Sequence, residues 1–464
     1  MKKTGRKAQR RVGRSLAAGV LVGTVVGAAT GCENVLGLDD ARTRASGVSP
    51  ATDAANDVAP DVVTDAGATS GEAAVEADAD AAEVTHFGGP PFVVASLGNH
   101  TCAVGTDRRA YCWGNNADGQ LGDGTREERD KPVAVGVFTD VVDVSAGYTH
   151  SCLVRESSDL YCWGKNDRGQ LGDGTKSDRL EPSVLSMRGI TRVGVAGWHT
   201  CAITKLGTVR CWGDNYYGAL GTGSFEPARS STFLEVPGLT DVVALAVGVM
   251  HNCAVTSQGY VYCWGRAVFG EVGYPVDPDA GSPDPHDYGS PIATRVPDLT
   301  DVVEIAAGED HTCAGKKNGE VYCWGRDDYA QLGDGDKTGI KIRPSKVQGN
   351  LDYAIHLAAG GFTTCATFSG GRVRCWGENN FGQLGNGNTS PGDPVPGPLN
   401  VFIDGIERMS TGHHTCGWQR NSKNERHLFC WGRNDLGQLG IGKKSDYELQ
   451  PHEVTFPPAP QTSP

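Results

Sequence analysis

Beyond its first thirty residues the sequence has no uninterrupted apolar run approaching the ~20 residues of a membrane-spanning helix. An excess of positive charge is missing too: 42 Lys and Arg face 55 Asp and Glu, a net charge of −13. That balance argues against a groove for nucleic-acid phosphates, which needs concentrated Lys and Arg. Nothing resembles a phosphate-binding glycine loop or an acid pair at a unique position, so no catalytic constellation emerges. The chain therefore reads as a binding protein, without enzymatic activity or cofactor. Methionine is scarce, at four residues, whereas glycine reaches 65, about twice its usual ~7% share. Many turns between short strands follow from that balance.

Unpaired cysteine is nearly absent. Fourteen of the fifteen cysteines fall into seven pairs: Cys102 with Cys112, Cys152 with Cys162, Cys201 with Cys211, Cys253 with Cys263, Cys313 with Cys323, Cys365 with Cys375, and Cys416 with Cys430. Six separations are ten residues and the last is fourteen. An even separation about a turn sets two residues opposite each other on an antiparallel hairpin, within reach of a disulfide. Seven such bridges point to an oxidising compartment.

The leftover cysteine, Cys32, stands at the end of an export signal. A basic stretch over residues 1–14 is followed by an apolar run over 15–30 and by Ala29-Thr30-Gly31-Cys32. The ending resembles the lipobox of bacterial lipoproteins, which implies removal of residues 1–31 and lipidation of Cys32. Residues 1–32 carry seven basic residues and no acid, so their loss takes the charge from −13 to −20. Residues 32–90 form the next segment, with twelve acids against Arg42 and Arg44 and no aromatic before Phe87. Such a composition cannot offset its ordering entropy and reads as a disordered, self-repelling tether.

The folded region is expected over residues 91–457, with 458–464 as a tail. Its unit is clearest from His150 to Thr175: a strand with Cys152, a turn, a strand with Cys162 and Trp163, and a glycine-punctuated tail. Seven Cys-Trp-Gly copies place tryptophans at 113, 163, 212, 264, 324, 376 and 431. A period near 50 with strand-forming content is that of an all-β propeller, each unit being too small to bury its own faces. Four short strands can be read per unit. Cys162 and Trp163 point to opposite faces of their strand, and both faces are buried when blades stack. The terminal strands, near Val93 and Val454, are expected to pair and close the ring.

The stretch Trp163-Gly164-Lys165-Asn166-Asp167-Arg168-Gly169-Gln170-Leu171-Gly172 resembles the repeat of the regulator of chromosome condensation family. It recurs at 113–122, 376–385 and 431–440, with departures at Ala219, Glu271-Val272 and Ala330. The resemblance covers residues 92–456 and implies a seven-bladed propeller of four-stranded blades. The family's best-known activity is guanine-nucleotide exchange on a small nuclear GTPase with chromatin binding. An export signal and an acidic balance argue against carrying that activity over.

Histidine stands two residues before the first cysteine in six copies, at 100, 150, 199, 251, 311 and 414, which raises the prospect of zinc sites. Thr363 replaces it in the sixth copy while Cys365 and Cys375 persist, so the sulfur pair does not depend on the imidazole. No metal is expected, and each histidine is expected to bond backbone in a turn. Recognition belongs on variable loops. The residues singled out are the aromatics Tyr148, Trp198, Tyr216, Tyr217, Tyr329 and Phe381, and Asp277 and Asp279 in the longest insertion. The resulting expectation is a monomeric scaffold, tethered to a bacterial envelope or secreted, that binds a protein at the cell surface or in the periplasm and binds no nucleic acid. An alternative is a secreted enzyme inhibitor, because a bacterial β-lactamase inhibitor resembles this kind of propeller.

Overall fold

A computed structural model describes residues 94–95, 98–276, 288–337, 339–349, 351 and 354–458. The signal segment, the tether, Cys32, Val93, Asp277 and Asp279 lie outside the described residues.

Seven four-stranded antiparallel sheets follow one another along the chain, and no α-helix occurs among the described residues. Blade two is representative, with strands Val141–Ala146, His150–Arg155, Asp159–Gly164 and Arg179–Arg188 in that order across the sheet. Its central hairpin sets Cys152 opposite Cys162, Ser151 opposite Trp163 and His150 opposite Gly164. All seven predicted cysteine pairs stand at disulfide distance, with Cα atoms 4.1 Å apart. The third and fourth strands slip register between Cys162 and Gly164. Gly164 adopts φ +101°, and a Cβ there would lie 2.5 Å from the Thr149 carbonyl oxygen. Only glycine fits that approach.

The core lies between blades rather than within them. Cys152, Val154, Leu160 and Leu171 of blade two pack with Ile190, Val195, Ala202 and Trp212 of blade three. All seven repeat tryptophans and all fourteen paired cysteines are fully buried, so both faces of the cysteine strands are covered, as the alternation requires. Ala330 takes φ +58° where most copies carry glycine, a left-handed conformation that costs an L-residue about 1–2 kcal/mol.

One chemical clasp repeats at each seam. The carbonyl of Gln120, in the tail of blade one, accepts from Trp163 Nε1 (2.8 Å) and from Ser151 Oγ (3.0 Å) of blade two. Because the serine hydroxyl gives its proton to that carbonyl, it accepts from His100 Nε2 (2.7 Å), which fixes the Nε2-protonated tautomer. The same direction holds for His150 to Thr200 (2.8 Å), His199 to Asn252 (2.8 Å), His251 to Thr312 (2.9 Å) and His311 to Thr364 (2.8 Å). The histidines thus bond side chains of the following blade, not turn backbone as expected from sequence. Thr363 interrupts the series: its hydroxyl donates to the Glu378 carbonyl (3.1 Å), and no imidazole spans the sixth seam.

The expected pairing of terminal strands does not occur. Val94 pairs with Ala103 inside blade one, and Val454 pairs with Leu428 inside blade seven. Each blade is complete in chain order, so none needs a borrowed strand. Closure instead uses the clasp: Trp113 Nε1 (2.9 Å) and Thr101 Oγ1 (2.8 Å) donate to the Gln438 carbonyl, and His414 Nε2 lies 2.6 Å from Thr101 Oγ1. Phe456 adds to it, stacked on Trp418 and edge-on to Trp113 and Tyr111.

Candidate functional site

Two loops from each blade emerge side by side at one rim of the ring: the turn before the histidine strand and the loop after the tryptophan strand. In blade two they are joined by the Lys165 N–H to the Thr149 carbonyl (3.0 Å). Unlike the clasp beneath, this rim does not repeat. The residue after Trp-Gly is Asn115, Lys165, Asp214, Arg266, Arg326, Glu378 or Arg433. The residue before the histidine position is equally varied, including Trp198, Met250, Asp310, Phe362 and His413.

All six aromatics predicted from the sequence lie here, in separate groups. Trp198 carries the Arg168 guanidinium 4.4 Å above its ring, and Arg168 Nη1 pairs with Asp214 (2.6 Å). Tyr217 is buried with Val249 and Met250, and Tyr148, Trp198 and Val268 pack against them. Its neighbour Tyr216 contacts it edge-on at 4.8 Å and is 38% exposed, the most open of the six. Tyr329 stacks on Phe362, with centroids 4.4 Å apart and planes at 14°. Phe381 meets His413 edge-on at 5.9 Å, with Arg433 over its ring. Five of the six therefore also serve packing between blades, and Tyr216 is the exposed one.

A charge cluster that sequence reasoning missed joins blades four and five. Arg266, buried in the position of Lys165, donates to Glu271 Oε1 (2.6 Å), to the Glu309 carbonyl (3.2 Å) and to the Asp310 carboxylate. Asp310 also pairs with Arg326 (3.2 Å), whose guanidinium lies over Phe269 and Tyr329. The signal was present: Glu271 is an acid where five sister copies carry the neutral Gln. Burial pushes the Glu309 carboxyl up, while Arg266 and a hydrogen bond from Tyr148 hold it down. That bond crosses the mouth of the ring, from blade two to blade five. Burial likewise raises Glu378, Asn380 lowers it by hydrogen bonding, and the Glu309 charge raises it. Four buried acids, Glu271, Glu309, Asp310 and Glu378, are thus gathered on blades four to six, with Arg266 and Arg326 paired to Glu271 and Asp310. No group of three or more potential metal ligands is found among the described residues, and the paired cysteines are committed to one another.

Comparison with known proteins fits this architecture. A family model described as RCC1-like domain matches residues 181–463, and models of the regulator of chromosome condensation (RCC1) repeat match residues 107–154 and 157–203. The chain belongs to the RCC1-like family. Among curated relatives, this RCC1-like propeller is 30% identical to the ultraviolet-B receptor UVR8 of Arabidopsis thaliana over 46% of each chain. It is 32% identical to the human E3 ubiquitin-protein ligase HERC2 over 46% of this chain but only 4% of that protein. The match thus spans less than half of either relative. Among solved structures, yeast RCC1 (Prp20) bound to Kap60 superposes with a TM-score of 0.65 at 19% identity, covering 86% of this chain and 91% of that one. Human WBSCR16 gives 0.63 at 22% identity, over 75% of this chain and 95% of that one. These structural likenesses bear on the fold alone.

Proposed function

We propose that this RCC1-like propeller is a non-catalytic, protein-binding scaffold, held at a cell envelope through Cys32 and reading its partner with the rim of Trp198 and Tyr216. The observation that carries this is the contrast between seams and rim. Beneath the rim nearly every blade repeats the same clasp, whereas the rim presents a different set of side chains at each position. A symmetric ring can distinguish one partner only through what does not repeat. Trp and Tyr are the residue types that most often anchor tight protein interfaces. Support from relatives is general: solved structures describe yeast RCC1 with Kap60, and its Prp20p form in relation to Gsp1p and histones. The acidic net charge and the export-type leader favour a partner other than chromatin.

Two measurements test the two halves of the proposal. Affinity capture from an envelope extract is expected to retain a partner on the wild-type chain. The Tyr216→Ala variant should lose at least tenfold of it, with the melting temperature nearly unchanged. Equal capture by both proteins would place recognition elsewhere. For the anchor, Cys32→Ser is expected to move the mature protein from the detergent phase to the aqueous phase; unaltered partitioning would rule the lipid out.

A further inference from the structure

In most blades one buried asparagine fixes the loop after the tryptophan strand. Asn116 Oδ1 accepts from the Leu121 N–H (3.0 Å), while Nδ2 donates to Asp123 Oδ1 (3.1 Å), the Thr125 carbonyl (3.1 Å) and the Glu127 carbonyl (3.0 Å). Asn166 repeats the arrangement with Asp173, Thr175 and Ser177. Asn215, Asn379 and Asn434 do so with their own loop carbonyls. Blade five carries an acid instead. Asp327 is fully buried, and its Oδ1 accepts from the Leu332 N–H (3.0 Å) as the asparagines do. Oδ2 therefore stands where the sister amides carry NH2, and it has no hydrogen-bond partner among the described residues.

The groups around it call for a donor. Asp334 takes the sequence place of Asp123, and Asp336 that of Thr125. Lys341, the nearest cation, is shared between Asp334 (3.5 Å) and Asp336 (3.4 Å). Farther out, Arg326 pairs with Asp328 (2.8 Å), and Lys337 pairs with Asp393 of blade six (2.6 Å). A buried carboxylate facing other acceptors is costly, whereas a carboxylic acid has the shape of a carboxamide and restores one donor. We propose that Asp327 is held as the neutral acid in the folded blade and acts as a proton-operated latch on the loop of residues 334–337.

Burial, with the Asp334 and Asp336 charges, pushes the Asp327 carboxyl up to about 7, against the Leu332 hydrogen bond and Lys341. A raised acid contributes stability that is complete at low pH and is lost as pH rises through its folded value, here near neutrality. The latched loop is a link to blade six, through the Gly335 N–H to the Pro396 carbonyl (3.1 Å) and the Lys337–Asp393 pair. Blade six is also the blade whose other seam lacks the histidine link, and its rim holds Phe362, Glu378 and Phe381. Ionisation of Asp327 therefore loosens the ring at its least secured blade, beside the binding rim.

The test is hydrogen exchange of the segment around Gly335 in the full chain from pH 6 to 8.5, corrected for intrinsic rate, in wild type and in Asp327→Asn. That variant restores the sister residue and is expected to fold. In wild type the opening constant should rise roughly tenfold in total between pH 6 and 8 and level off above the folded value near 7, as one-proton linkage requires, while Asp327→Asn stays flat. Matching profiles in the two proteins overturn the latch. So does protection at pH 8 that depends on millimolar calcium or sodium, which would put a cation at Oδ2.

Discussion

Between pH 6 and pH 4 the propeller is expected to unfold cooperatively, well above the range in which ordinary carboxylates drive acid denaturation. The cause is the set of buried imidazoles at the seams. Burial lowers His100, His150, His311 and His414 from 6.5 to about 3, and lowers His199 and His251 in the same direction. A base with a depressed folded value leaves stability intact above 6.5. Stability is then lost as pH falls, because only the unfolded chain takes up the proton. At pH 4.5 each of the four contributes on the order of 2–3 kcal/mol of destabilisation, using 1.36 kcal/mol per pKa unit. Together that is on the order of 10 kcal/mol, comparable with the whole ~5–15 kcal/mol stability of a typical domain. Glu271, Glu309 and Glu378, raised by burial, oppose part of this loss as they protonate. Circular dichroism against pH measures the midpoint. His150→Gln, which keeps a donor for Thr200 but cannot be protonated, should move that midpoint to lower pH. A fold that persists unchanged at pH 4 would show that the imidazoles are not neutral donors.

Trp113→Ala is expected to destabilise the ring by about 3–5 kcal/mol, the range for truncating a buried Trp. Trp113 is fully buried, its indole N–H bonds the Gln438 carbonyl, and its ring contacts Phe456 at 6.2 Å. It sits at the seam where the first and last blades meet. Trp113→Phe should cost less, about 1–2 kcal/mol, because most packing remains while one buried carbonyl loses a donor. Chemical denaturation of both variants checks the ranking. Equal, small effects would mean that the seventh seam contributes little and that the ring tolerates being open.

What was legible in the sequence was what is local. The period of about 50 residues follows from Cys-Trp-Gly copies that can be read directly, and the cysteine pairing follows from a ten-residue hairpin separation. Ring closure was not legible in the same way, because strand phase does not reveal whether a terminal blade is complete. The histidine partners were missed because they lie about 50 residues away, on the next blade. Yet a signal was there: each histidine is followed by Ser, Thr or Asn, at Thr101, Ser151, Thr200, Asn252, Thr312 and Thr415, and the sixth copy keeps Thr364. A donor and an acceptor adjacent in every copy are what a one-way link between identical units requires. The Arg266–Glu271 cluster was visible only as a departure from the repeat, since nothing in the spacing says that Asp310 lies beside it.

The seam that joins Gln438 to Thr101 and Trp113 has the same donors, acceptor and direction as the seams within the chain. The ring thus has no privileged starting blade. Joining the chain near Val94 to the chain near Val454 and opening it between two other blades would leave every clasp intact, so the fold is suited to circular permutation. The exception is position-specific: new ends placed between blades six and seven would fall at the seam that no imidazole spans.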